Sequence, residues 1–236
     1  MSFLKEYWDK IQPPKKEMGI INGAVAQGFI RPWNSDLANI HMLKEAISIL
    51  RPRVIVETGT FEGATTIEMA RVVNKYGSLL HVINDKPVKI YTFDGGAPVS
   101  CYGDGKSVVD NWERDAQWVA WKAVKEKRDE RLSLKFDNCI IKYIEGLTQE
   151  TLPKTIDEIG EWDLWFQDSV HGLDLIIGEW EVMKKKAKMG SLVIFDDIIA
   201  GHGLLDWFPK NNPEWKWEWT NAGRSQLWAE KDEFTR

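Results

Sequence analysis

The sequence predicts a single α/β domain with a mostly parallel sheet, helices on both of its faces and a C-terminal antiparallel hairpin. Short β-branched and aromatic runs alternate with longer segments of helical periodicity, which is typical of parallel strands joined by crossover helices. The last two strand-like runs are separated only by turn residues, which indicates a hairpin. With 236 residues, 43% of them hydrophobic, the chain can bury one sizeable core, so residues 1–236 are expected to form one domain.

The first predicted helix begins near Ser35 and Asp36, which can cap its N-terminus. Its apolar residues recur at helical spacing up to Leu50, and Pro52 then ends it. Residues 1–34 form a polar leader that prolines interrupt. The alternation of helices and strands therefore starts after this leader.

A strand, a tight turn and a second helix come next. Residues 53–58 are predicted to form a buried strand, because they are rich in β-branched side chains. The helix is predicted at 63–76, with Gly77 just past its end. The turn between them has the sequence ETGTFEG from Glu57 to Gly63. An acid and two glycines thus follow the end of a strand.

Three later strands each end at an acidic residue. They are predicted at 89–93 before Asp94, at 139–144 before Glu145 and Gly146, and at 163–167 before Asp168. In an open parallel sheet, ligands bind at the C-terminal ends of the strands, because loop amides and helix N-termini converge there. The residues after these strands are therefore candidate ligand contacts.

The C-terminal part is predicted to contain one more crossover helix and three strands. The helix runs from about Gly172 to Gly190, with one apolar stripe along it, and leads into a fifth strand at 191–195. The hairpin strands follow at 215–220 and 225–230.

One insertion, at 97–137, interrupts the alternation between the second and third strands. Residues 107–132 within it have helical character, with Trp118 and Trp121 lying off the apolar stripe. Either this helix packs on the sheet and contacts a neighbouring subunit, or it forms a lid or wall of a substrate site. The leader and this insertion are also the segments expected to contribute to any homo-oligomer contact.

Composition limits the classes of partner and compartment. The net charge of -5 argues against a general nucleic-acid surface, which needs clustered Lys and Arg. Cys101 and Cys139 lack the CxxC spacing of a zinc site and do not form a disulfide framework, which favours a reducing compartment. The first ten residues lack the apolar core of a signal peptide, and no segment has the apolar length to span a bilayer. The expected location is the cytoplasm, with no membrane partner.

The glycine turn distinguishes between two kinds of adenosine ligand. A dinucleotide needs GxGxxG for close approach of its diphosphate, but Phe61 stands where the middle glycine belongs. The ExGxxxG pattern from Glu57 to Gly63 instead suits a phosphate-free nucleoside that carries an ammonium group. The turn therefore argues against NAD.

The ETGTFEG turn, followed by Asp94 at the end of the second strand, resembles the first two motifs of the class I S-adenosylmethionine-dependent methyltransferases. That resemblance implies a Rossmann-like sheet that ends in an antiparallel strand. It implies that Glu57 helps to hold the amino-acid end of the cofactor and that Asp94 binds the ribose hydroxyls. The cofactor contacts that it implies are Glu57, Gly59, Thr60, Gly63, Asp94, Gly146 and Asp168.

Three acids follow the fourth and fifth strands, in the sequences FQDSVHG and VIFDDI. If these strands are neighbours, as the strand order of the methyltransferases that this chain resembles implies, their ends lie about 5 Å apart, and the carboxylates need a cation to offset their repulsion. Oxygen ligands favour Mg²⁺. The pattern resembles the metal-dependent macrocin O-methyltransferase-like group, which implies that Asp168, Asp196 and Asp197 bind Mg²⁺ or another divalent cation. Alternatively, these acids cap the adjacent loop and the helix that begins near Gly172.

His171, three residues after Asp168, is the candidate catalytic base, since a pKa close to neutrality suits removal of a hydroxyl proton. His202 is a reserve candidate. Some members of the macrocin group have a second acid where this chain has Val170. Aromatic walls for an acceptor are expected from Trp207, Phe208 and Trp215 together with the inserted helix.

The resemblance implies an S-adenosylmethionine-dependent O-methyltransferase, assisted by Mg²⁺, that methylates a hydroxyl of a small molecule such as a sugar or natural product. One alternative is a hydroxylase-like enzyme that resembles the cephalosporin hydroxylases and shares the DxxH pattern. The other is a non-catalytic domain that binds a protein partner through its tryptophan-rich helix.

Overall fold

The structure is a computed structural model that describes residues 2–11, 36–84, 87–95, 111–169, 172–198, 203–220 and 225–232. Helices in this part are α1 (Phe3–Ile11), α2 (Asp36–Leu50), α3 (Ala64–Asn84), α4 (Asn111–Leu132), α5 (Thr148–Ile159), α6 (Leu173–Met183) and α7 (Leu204–Asn211). Strands are β1 (Val54–Thr58), β2 (Val88–Asp94), β3 (Cys139–Glu145), β4 (Trp162–Gln167), β5 (Ala187–Phe195), β6 (Trp215–Thr220) and β7 (Gln226–Lys231).

The strands form one seven-stranded sheet in the order β3-β2-β1-β4-β5-β7-β6. Strands β1 to β5 pair in parallel, whereas β7 pairs antiparallel with both β5 and β6. The predicted class is therefore confirmed: the fold is a Rossmann-like α/β domain that ends in an antiparallel hairpin. As predicted, β4 lies beside β5, with Gln167 opposite Phe195.

Two hydrophobic clusters cover the two faces of the sheet, because successive strand residues point to opposite faces. In β1, Ile55 belongs to the cluster with α1, α2 and α3, whereas Val56 belongs to the cluster with α5, α6 and α7. Both Ile55 and Val56 are fully buried. Residues that follow the strands at the C-terminal edge are therefore held by a rigid core.

Several tryptophans fill the second cluster. Trp165 stacks on Trp180 with ring centroids 6.2 Å apart, and Trp215 meets Trp180 edge to face at 4.7 Å. Phe208 packs on Trp180 at 4.9 Å and is fully buried. The expectation that Phe208 and Trp215 form walls of an acceptor site is therefore wrong, because both side chains belong to the core.

Two predicted helix ends are wrong. Helix α3 continues through Gly77 to Asn84, since one glycine costs a helix only about 1 kcal/mol and no proline follows within this segment. Helix α6 ends at Met183, well before Gly190, and a short 3-10 segment leads into β5 at Ala187. The helix ends early because β5 begins at Ala187, which pairs with Trp162 of β4, and not at residue 191 as predicted.

The leader is more structured than predicted. Helix α1 buries Phe3, Leu4 and Ile11 against the sheet. Its N-terminus is anchored by Glu230 of β7, whose carboxylate accepts from the backbone N–H groups of Phe3 and Leu4 at 2.7 and 3.0 Å. No described helix is long and apolar enough to cross a membrane.

Candidate functional site

The glycine turn connects β1 to α3 at the C-terminal edge of the sheet. The N–H groups of Gly59 and Thr60 both donate to the carbonyl of Phe93 in β2, at 2.8 and 3.0 Å. Gly63 donates to the Thr60 carbonyl at 2.7 Å and immediately precedes α3. These bonds fix the turn against the neighbouring strand, where the sequence predicted a ligand site.

Gly59 is required at its position by close backbone packing. Its φ angle is +100°, and a Cβ atom added there would overlap the carbonyl group of Asp168 after β4. The backbone N–H of Asp168 in turn donates to the carbonyl of Thr58 at 2.8 Å. The first glycine therefore lets two predicted cofactor-contacting loops approach each other.

Glu57 is fully buried beside this turn, and its two oxygens differ. Oε2 accepts from the hydroxyls of Thr66 and, at 2.5 Å, Thr92. The hydroxyl of Thr60 lies 2.5 Å from that of Thr92 and extends the cluster. Oε1 is buried without a hydrogen-bond partner among the described residues. Such an oxygen is costly unless a ligand supplies a donor.

The environment of Glu57 raises its pKa from 4.5 to about 7. Burial is the main cause, because a low-dielectric site disfavours the charged form, and the nearby carboxylate of Asp94 adds to it. The hydrogen bonds from Thr66 and Thr92 oppose this rise. Glu57 therefore titrates near neutral pH, where a bound cation would favour its ionised form.

Asp94, at the end of β2, is held from several sides. Its Oδ2 accepts from the backbone N–H of Phe61 at 2.6 Å, and its Oδ1 lies 3.6 Å from Nη1 of the fully buried Arg128. Its carbonyl accepts from the N–H of Gly146 at 2.8 Å. Phe61 reaches it with a φ angle of +46°, which is strained for a bulky residue and typical of functional turns.

The inserted helix α4 reaches this site through a basic face. Besides Arg128, its Lys127 and Arg131 pair with Glu62 of the turn, each at 3.1 Å. Arg128 also lies 4.4 Å from the ring centre of Tyr143 in β3. These contacts pack the described part of α4 against the glycine turn and β3, while its contact with a neighbouring subunit and its role as a lid or substrate wall both stay predictions.

A second buried carboxylate, Glu179 of α6, lies on the other face of the sheet. Its Oε1 accepts from the hydroxyls of Thr148 and, at 2.7 Å, Ser169. Its Oε2 accepts from Thr58 Oγ1 at 3.1 Å and Gln167 Nε2 at 3.4 Å. Burial raises the pKa of Glu179, and the four donors oppose that rise. This residue ties α5 and α6 to the ends of β1 and β4.

The assignment of Asp168, Asp196 and Asp197 as metal ligands stays a prediction. Among the described residues, no group of three or more His, Cys, Asp or Glu side chains could hold a metal ion. Asp196 follows β5, is nearly fully buried, and accepts from Nε2 of Gln226 in β7 at 2.7 Å. Asp197 has a left-handed φ of +56°, and Asp168 is half-buried beside Gly59.

The predicted base and its reserve, His171 and His202, lie outside the described residues. Among the cysteines, Cys139 is buried in β3, and burial raises the pKa of its thiol to about 12, which makes the thiolate inaccessible at neutral pH. Cys101 lies outside the described part.

Sequence reasoning missed four residues of this region: Thr66, Thr92, Arg128 and Glu179. Thr92 had a detectable signal, because it precedes Asp94 by two residues in β2 and shares its face. Glu179 is a lone acid within the apolar sequence LIIGEW. Arg128 had no such signal. It is one of many charged residues in the inserted helix, and the sequence did not show where that helix packs in the fold.

The comparisons with known proteins identify the family. A family model described as a methyltransferase domain matches residues 56–198, more than half of the chain. The chain belongs to this family. It therefore contains an S-adenosylmethionine-dependent methyltransferase domain, and its glycine turn lies at the start of the matched region. No match was found among curated proteins.

Solved structures share the fold of this methyltransferase domain. The Podospora anserina methyltransferase PaMTH1 with bound SAH has a TM-score of 0.54 at 13% identity, over 83% of this chain and 79% of that one. The calicheamicin methyltransferase CalS11 has a TM-score of 0.54 at 18% identity, over 96% and 89%. The Bacillus cereus O-methyltransferase in complex with SAH has 0.51 at 14%, over 97% and 96%.

Proposed function

We propose that this methyltransferase domain transfers a methyl group from S-adenosylmethionine to a hydroxyl oxygen of a small molecule. One observation above all others supports a cofactor pose in which the amino-acid end of S-adenosylmethionine lies at Glu57. Glu57 lies buried under the glycine turn with one carboxylate oxygen that has no described partner. The ammonium group of the cofactor supplies a donor of the matching charge.

The remaining cofactor contacts follow from the turn. Asp94 would accept from the ribose hydroxyls, with Arg128 and the N–H of Phe61 holding the carboxylate in place. Gly146, bonded to the Asp94 carbonyl, would lie beside the adenine. A Cβ atom on Gly146 would come within 2.7 Å of the Thr151 side chain, so this loop tolerates only glycine without rearrangement.

The acceptor class rests on the structural relatives. The Bacillus cereus neighbour is an O-methyltransferase, and CalS11 is a calicheamicin methyltransferase. When bound, the sulfonium centre supplies an electrophilic methyl group, so the protein contributes mainly alignment of the attacking oxygen. His171 is proposed as the group that takes the hydroxyl proton.

The role of Mg²⁺ remains a prediction that the described residues do not support. In this structure Asp196 accepts from the amide of Gln226, and the three acids do not gather into a metal-binding group.

The test is calorimetric titration of the purified protein with S-adenosylhomocysteine, with NADH as the parallel control. We expect binding of the former alone, and binding of NADH alone would contradict the proposed pose. A panel of sugar and phenolic hydroxyl acceptors is then incubated with S-adenosylmethionine, with Mg²⁺ or with EDTA. Methylated product supports O-methyl transfer, whereas a hydroxylated product would favour the alternative enzyme class.

A further inference from the structure

Strand β6 forms one end of the described sheet and has an unusual sequence, WKWEWT. Trp215 is buried in the core, but Trp217 and Trp219 are 43% and 41% exposed. Because alternate strand residues share a face, Trp217 and Trp219 lie on the same face of the sheet as Trp215, but beyond the area that the described helices cover. Adjacent exposed tryptophans on a sheet edge indicate an interaction surface.

The backbone of β6 has hydrogen-bonding groups available on its outer side. The N–H of Asp232 donates to the carbonyl of Glu214 at 3.2 Å, which makes these two residues a hydrogen-bonded pair of the antiparallel ladder. Because such pairs alternate along a strand, Lys216, Glu218 and Thr220 direct their backbone N–H and C=O groups at β7. The backbone groups of Trp217 and Trp219 therefore point outward. In the described part of the chain no further strand pairs with this side of β6.

The charges of this edge match those of a second copy of the same edge. If two β6 strands pair antiparallel around a two-fold axis at Trp217, Lys216 of each copy lies opposite Glu218 of the other. The same register places Trp219 opposite Trp215. The Lys216 and Glu218 positions then form non-hydrogen-bonded pairs, in which facing side chains approach most closely.

We propose that this edge, residues 215–220, is a homodimer interface in which two sheets join through β6. A lysine on a sheet edge ordinarily discourages pairing with other chains. In this dimer, however, Lys216 of each copy faces Glu218 of the other, so both charges are attracted across the interface. The two copies of Trp217 pack against each other. Self-complementary contacts of this kind are what two-fold symmetric dimers require.

The surroundings of the edge are compatible with this partner. Lys216 pairs with Asp232 of its own chain, which holds its ammonium group on the charged face. An open groove of about 350 Å³ runs along this edge and is lined by Leu4 and Lys5 of α1 and by Trp215, Lys216, Trp217 and Glu218 of β6. It leaves space beside Lys216 for a carboxylate from the second copy.

The test uses sedimentation velocity of the full chain over the micromolar range, with two charge reversals at the edge. Glu218→Lys and Lys216→Glu each place like charges opposite each other, and each is expected to raise the dimer dissociation constant by about tenfold or more. An equimolar mixture of the two variants should form a heterodimer, because opposite charges then face each other at both pairs. This recovery distinguishes interface charge from damage to folding.

Glu161→Lys and Lys185→Glu serve as matched controls, since both residues are exposed and lie outside β6. They should dimerise as the wild type does. A wild-type protein that stays monomeric would overturn the proposal, as would dimers that persist in both edge variants or variants that fail to associate when mixed. The proposal does not depend on the methyl-transfer chemistry.

Discussion

Glu57 and Glu179 are both fully or nearly fully buried acids at the same edge of the sheet, but only one is satisfied by the protein. Glu179 accepts from four side chains that cover both of its oxygens. Glu57 has two hydroxyl donors on one oxygen and none among the described residues on the other. The difference separates a carboxylate that joins structural elements from one whose Oε1 has no described partner, which is the oxygen that the proposed cofactor contact uses.

The largest expected effect is the pH dependence that Glu57 gives to stability. Its pKa is higher in the folded state, about 7 against 4.5, so its contribution to stability is complete below 4.5 and is lost as the pH rises through 7. We expect a loss on the order of 3 kcal/mol in the free energy of unfolding of the ligand-free protein. Urea denaturation of the wild type and Glu57→Gln across this range measures it.

Above neutral pH the Glu57→Gln variant should be the more stable protein, because the amide carries no buried charge. Below the unfolded pKa the two proteins should unfold at similar urea concentrations. An identical pH profile for both would show that Glu57 is not the titrating group.

The substitution that raises stability above neutral pH should weaken cofactor binding. We expect Glu57→Gln to weaken binding of S-adenosylhomocysteine by about 100-fold, because the ammonium group loses its buried counter-charge. In the wild type, affinity should also decrease below the Glu57 pKa of about 7, where the carboxyl is protonated. Calorimetry at several pH values measures both effects.

Glu150→Gln, at an exposed position in the first turn of α5, is the matched control and should bind as the wild type does. Full affinity in the Glu57→Gln variant would remove the basis of the proposed cofactor pose.

The corresponding change at Glu179 should affect folding more than binding. Glu179→Ala leaves four donors without their acceptor, so we expect a loss of about 2 kcal/mol in the free energy of unfolding. Affinity for S-adenosylhomocysteine should change far less than in Glu57→Gln. Denaturation and calorimetry on the same preparation give both numbers, with the exposed Glu181→Ala as control. A variant that is stable but binds poorly would reverse the assignment of the two acids.

The smallest expected effect concerns Arg128. Arg128→Met keeps much of the side-chain volume but removes the charge beside Asp94, so the ribose contact should weaken by about tenfold. Lys122→Met, at an exposed position of the same helix, should leave affinity unchanged. Equal affinities in these two variants would show that α4 packs on the domain without supporting the cofactor site.

The sequence predicted the parts of this site that are local in the chain. The strand that ends at Thr58, the ETGTFEG turn and Asp94 at the end of β2 follow from short runs of residue types, and the structure places them side by side. The neighbouring positions of β4 and β5 followed from the family resemblance. Helix ends were less predictable, because Gly77 costs too little to stop α3.

Only the tertiary structure decided how buried polar groups are partnered. Thr66 and Thr92 reach Glu57 from α3 and β2, Arg128 reaches Asp94 from an inserted helix, and Gln226 of β7 engages Asp196. Such contacts join residues far apart in the chain, and their geometry depends on packing that no local pattern records. The sequence by itself therefore determined the fold and the residue types at the sheet edge. The tertiary structure decided that Oε1 of Glu57 is buried without a hydrogen-bond partner in the part of the chain that the structure describes.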